Sequence, residues 1–188
     1  MLPLVRRWLT ERTLRQRARA YVDTLLQEPD EADVRWLAAL APSGDVDHAR
    51  WELRYARRVL GLQVATRDAL DDRTASVVAE ALTSAVRRDD FVAPDMLPVV
   101  ERQLNARIRG YAEALGQRGG EPTSARLART LLSFTGVREA ADPAVAARAG
   151  ELLARYLGEA NAALRSAFGA AALPEDVVPS SLAPGARG

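Results

Sequence analysis

Cysteine and lysine are both absent from this 188-residue chain, and each absence closes off chemistry. Without cysteine there is no disulfide, thiolate metal site, iron–sulfur cluster or thiol nucleophile. Without lysine there is no Schiff base and no phosphate-loop ammonium. Histidine occurs once, as His48. Any metal site or proton relay must use that imidazole or carboxylates alone.

Aromatic residues make up only 5% of the chain, and alanine and leucine dominate its apolar set. Strands favour β-branched and aromatic side chains, so this composition points to helices. Apolar runs are too short to span a bilayer. Arg6 and Arg7 interrupt the N-terminus before a secretory apolar region can form. A cytoplasmic protein without a transmembrane segment is the expectation, and no cofactor is implied.

What is abundant is arginine, which supplies all 26 basic residues. Guanidinium groups bind phosphate and carboxylate bidentately. A coding sequence rich in G and C explains the same bias without any function. Net charge is +1, so no global field points to nucleic acid. The distribution is uneven: residues 1–20 carry six arginines against Glu11 alone.

Periodicity predicts six or seven helices in one all-α bundle over residues 1–173, followed by a Pro-, Ser- and Gly-rich tail over 174–188. Leu14, Ala18, Tyr21, Val22 and Leu25 form the inner row of the first helix, with Thr10 as a break or a new cap. Asp30 caps a short helix that Pro42 stops. The helix from about Val46 to Leu70 carries two apolar rows: Ala49, Leu53, Ala56, Leu60 and Val64, then Trp51, Tyr55, Val59 and Leu62. A helix apolar over so wide an arc belongs at the centre. Asp71 to Thr74 cap a fourth helix ending at Arg87 and Arg88, where the helix dipole favours cations.

The polar stretch 89–95 is a possible subdomain boundary, and Asp95 is expected to cap the fifth helix. That helix has a clean stripe: Leu97, Val100, Leu104, Ile108, Tyr111 and Leu115. Gly119 and Gly120 close it. A sixth helix runs from Pro122 to Phe134. Asp142 and Pro143 open the seventh, whose small inner residues suit close helix approach.

Few constellations suggest chemistry. Asp45, His48 and Glu52, with Asp47 beside them, form a weak metal candidate, since His48 and Glu52 are four residues apart on one helix face. The di-iron pattern of Glu-x-x-His on two helices is missing. Adjacent aspartates, at 71–72 and 89–90, read as caps rather than acid–base pairs. The sequence contains no G-x-S-x-G elbow, and Gly116 to Gly120 closes a helix instead of opening one, the wrong orientation for an anion.

The strongest surface lead is the basic first helix. Arg6, Arg7, Arg12, Arg15 and Arg19, with Trp8, could meet an anionic membrane surface or, less readily, nucleic-acid phosphates. Three roles follow by elimination. The first is a non-enzymatic binding or interaction module with a protein partner or a second copy of itself. The second is a peripheral membrane-surface or nucleic-acid binder acting through the first helix. The third is a metal- or ligand-dependent enzyme around His48.

Overall fold

The computed structural model describes residues 2–68, 71–117, 119–137 and 142–169, with residues 2–10 described as backbone only. The tail at 174–188 lies outside the described residues. Seven α-helices and one 3-10 turn account for the architecture, with no strand among the described residues. They are α1 (Leu2–Leu25), α2 (Glu31–Leu40), α3 (Val46–Asp68), α4 (Asp72–Val86), α5 (Leu97–Gly116), α6 (Thr123–Phe134) and α7 (Pro143–Phe168).

Helix starts follow local chemistry. Asp30 accepts from Ala32 N at 2.7 Å, Asp71 from Thr74 N at 2.6 Å, and Asp142 from Ala144 N at 2.8 Å. Each satisfies an amide that the first turn leaves without a carbonyl partner. Asp45 does the same twice for α3, accepting from the amides of Asp47 and His48. Two expectations are corrected. α1 runs unbroken through Thr10, because a threonine flanked by strong helix formers costs little. Asp95 does not cap α5: it lies inside the 3-10 turn Pro94–Met96, and Met96 precedes the helix without a side-chain cap. Pro98 sits in the first turn, where its missing N–H is no loss.

α3 is the central element and touches each of the other six helices. Ala49, Leu53, Ala56, Leu60 and Val64 are all buried along it, as the apolar rows predict. Each large side chain so buried contributes about 1.5–3 kcal/mol. α1 crosses α3 at Gly61. The Tyr21 hydroxyl donates to Gly61 O at 2.7 Å, and the Leu25 side chain fills the space a Cβ would need. α7 approaches α6 closely at Gly150, where a Cβ would stand 3.3 Å from Ser124 O.

The interior of α3 is not purely apolar. Glu52, Arg54 and Arg58 are buried on it, and Arg107 and Arg126 are buried on α5 and α6. The apolar rows concealed these charges, because a wide buried arc encloses whatever else lies on it. The segment 89–95 is pinned to α3: Arg58 Nη2 donates to Asp89 Oδ2 at 2.7 Å, and the Arg54 guanidinium lies 4.5 Å from the Phe91 ring.

Candidate functional site

α1 and α4 pack side by side. α1 buries Ala18, Tyr21, Val22 and Leu25, which turns Arg12, Arg15 and Arg19 outward on one face at i, i+3 and i+7. α4 buries Val78, Leu82 and Val86, leaving Glu80, Ser84 and the C-terminal Arg87 and Arg88 beside that face. Between the helices lies an open groove of about 400 Å³ with Val77 and Ala81 among its lining. Arg15, Arg19, Arg87 and Arg88 line it, with Glu80 as the single carboxylate among the described residues. A neighbouring recess of about 670 Å³ shares Arg15 and Arg19 and adds Glu11, Arg12 and Gln16.

These cations are not equally engaged. Arg15 pairs with Glu11 at 3.3 Å, and Glu11 also pairs with Arg73. Arg87 pairs with Glu101 of α5 at 2.8 Å. Among the described residues Arg88 uses only its Nε, donating to Ser84 O at 3.0 Å. Among the described residues, Arg19 and Glu80 form no ion pair. A guanidinium held without a carboxylate partner keeps its planar donors available for an external anion. Of the first-helix residues the sequence singled out, Arg12, Arg15 and Arg19 stand here. Arg6, Arg7 and Trp8 occupy α1 upstream, and their side chains lie outside the described residues.

The second region is the interior around Glu52. His48 and Glu52 do share one face of α3, but their polar atoms are engaged elsewhere. The His48 Nε2 is 3.3 Å from Phe134 O. Glu52 is 2% exposed and receives Arg107 Nε at 3.0 Å on one oxygen and Arg107 Nη2 on the other. Burial pushes the Glu52 carboxyl above its ordinary range, with Arg107 and then His48 opposing that shift. Gln103 and the flanking rings of Tyr55 and Phe134, at 5.4 and 4.5 Å, complete the cage around Arg107. Asp45 is spent on the α3 amides. Among the described residues no three His, Asp or Glu side chains converge as a metal site.

Tyr111 and Tyr156 are also buried, and neither hydroxyl has a partner among the described residues. Burial raises Tyr111 strongly and pushes Tyr156 up to about 12, so both stay protonated. This part of the interior thus holds the Glu52–Arg107 ion pair and two neutral phenols.

In the sequence the two halves of the groove stand apart: the arginine row belongs to the first helix, and Arg87 and Arg88 follow a fourth helix whose dipole favours cations at that end. Nothing in the linear order says that α1 lies against α4. Compared with known protein families, curated proteins and solved structures, the chain matches none. No helix among the described residues is long and apolar enough to cross a membrane.

Proposed function

We propose that this chain is a non-enzymatic helical binding protein that docks a phosphate-bearing anion on its α1/α4 face. One observation carries the reading: two arginines of α1 and two at the C-terminal end of α4 line one groove, and among the described residues Glu80 is the only carboxylate lining it with them. The field is local, since the whole chain is nearly neutral at +1. Convergent guanidinium groups beside a half-enclosed wall bind a multivalent anion more strongly than the same charges scattered over a surface. The upstream Arg6, Arg7 and Trp8 extend the basic stretch of α1 and would broaden the footprint on a larger anionic surface.

Titration calorimetry with tripolyphosphate tests this. The wild type binds, and added salt weakens the binding. Joint Arg19→Glu and Arg88→Glu substitution lowers the affinity by about tenfold or more, since hydrogen bonds to charged groups contribute about 1.5–3 kcal/mol each. Arg17→Glu, an exposed α1 position outside the groove lining, leaves affinity within about twofold of wild type. Equal binding by the doubly reversed variant would remove the groove from the reading. Loss of residues 1–10 with no change in binding would restrict the footprint to the groove.

A further inference from the structure

The groove is not uniformly basic, and the exception carries information about the ligand. Glu80 and Ser84 stand one turn apart on one face of α4, and Arg88, in the turn just past the end of that helix, folds its guanidinium back to Ser84 O. All three line the groove beside Arg15 and Arg19 of α1. Glu80 is exposed and forms no ion pair among the described residues, although four arginines line the same groove. The Ser84 side-chain hydroxyl likewise has no partner among them, while its backbone carbonyl orients Arg88.

A groove built only to capture charge would omit the carboxylate, which repels an anion. A carboxylate accepts hydrogen bonds and donates none. It therefore calls for a ligand that carries a donor next to its anionic group. An ammonium would meet four guanidiniums at close range and be repelled. A hydroxyl meets no such penalty, and it satisfies both Glu80 and Ser84. The groove volume of about 400 Å³ is that of a small-molecule site rather than a track for a polymer.

Building on the anion-binding reading, we infer that the α1/α4 groove takes a phosphorylated polyol, with phosphate on Arg19 and Arg88 and a ring or chain hydroxyl on Glu80 and Ser84. The chemistry is shared by soluble sugar or inositol phosphates and by phosphoinositide headgroups.

Two probes separate this class from anions in general: inositol trisphosphate, which has free hydroxyls, and tripolyphosphate, which has no carbon-borne hydroxyl. In Glu80→Ala the two should respond differently. Inositol trisphosphate binding falls by about five- to tenfold, as one charge-assisted hydrogen bond is lost. Tripolyphosphate binding stays level or rises, because a negative charge has gone. Glu80 is solvent-exposed on a helix that keeps its buried face, so the variant is expected to fold, and an unchanged melting curve is the control that checks it.

If Glu80→Ala strengthens both probes, Glu80 merely repels anions; the polyol inference is then overturned while the anion groove survives. If the wild type binds neither probe, the anion reading itself fails. The source of the headgroup is decided by sedimentation with vesicles. Phosphatidylcholine vesicles containing a phosphoinositide are set against vesicles matched in charge with phosphatidylserine. Selective capture of the former indicates the lipid. Calorimetric binding of soluble inositol trisphosphate without vesicle capture indicates the free compound.

Discussion

Arg107 of α5 grips Glu52 of α3 with both ends of its fork: Nε donates to one carboxylate oxygen at 3.0 Å and Nη2 to the other. Both side chains are inside the bundle, at 7% and 2% exposure. Removing one partner leaves an uncompensated buried charge. Arg107→Met is expected to cost about 3–5 kcal/mol of folding stability, read from the denaturant midpoint. The joint Glu52→Leu, Arg107→Met variant removes both charges and is expected to recover most of that loss. A double variant no better than Arg107→Met alone would show that the pair is not the source of the penalty.

Acid titration should show two groups working in opposite directions. Asp71 accepts from Thr74 N, which holds its carboxyl below the ordinary 3.8. Its contribution is therefore present above pH 3.8 and disappears as pH falls through the lower folded value. Asp71→Asn keeps a capping oxygen but should flatten that acid limb. Glu52 is raised by burial above the ordinary 4.5. Its contribution is full below pH 4.5 and declines as pH rises through the folded value. The stability difference between wild type and Glu52→Gln should accordingly shrink with rising pH across that window, measured by urea unfolding at several pH values.

Arg54 ties three parts of the chain together. Its guanidinium lies 4.7 Å from the Trp51 ring centroid and 4.5 Å from that of Phe91, and its edge forks onto Glu28 at 2.8–3.1 Å. Phe91 is 69% exposed and rests on this stack. Lysine cannot stack as a plane or reach both oxygens. Arg54→Lys should cost about 1–3 kcal/mol and alter Trp51 fluorescence. Unchanged emission and midpoint would mean the stack is incidental.

Gly61 gives α1 its seat on α3. A Cβ there would overlap the Leu25 side chain, which is itself buried. Gly61→Leu improves helix propensity yet forces α1 outward, and overpacking of this kind costs about 1–3 kcal/mol. Because α1 carries Arg15 and Arg19, the same variant should also weaken tripolyphosphate binding without touching a groove residue. Full affinity with reduced stability would show that the groove tolerates the shift.

The helical rhythm of leucine, valine and alanine was enough to define the helices and the central place of α3, and local chemistry marked the caps at Asp30, Asp45, Asp71 and Asp142, though not the start of α5. Local periodicity and capping depend on neighbours a few residues away, so they are written in linear order. The exceptions are equally physical. Arg54, Arg58 and Arg107 look like solvated charges, and Glu52 like a helix-face neighbour of His48, until their partners on other segments are known. Glu52 and Arg107 are 55 positions apart, and Arg58 and Asp89 are 31 apart. Only the packing of α1 on α4 brought Arg15 and Arg19 beside Glu80, Ser84 and Arg88. A helix presents its own face from sequence alone, but which face meets it is settled by burial of the whole apolar surface together, a property no single segment possesses.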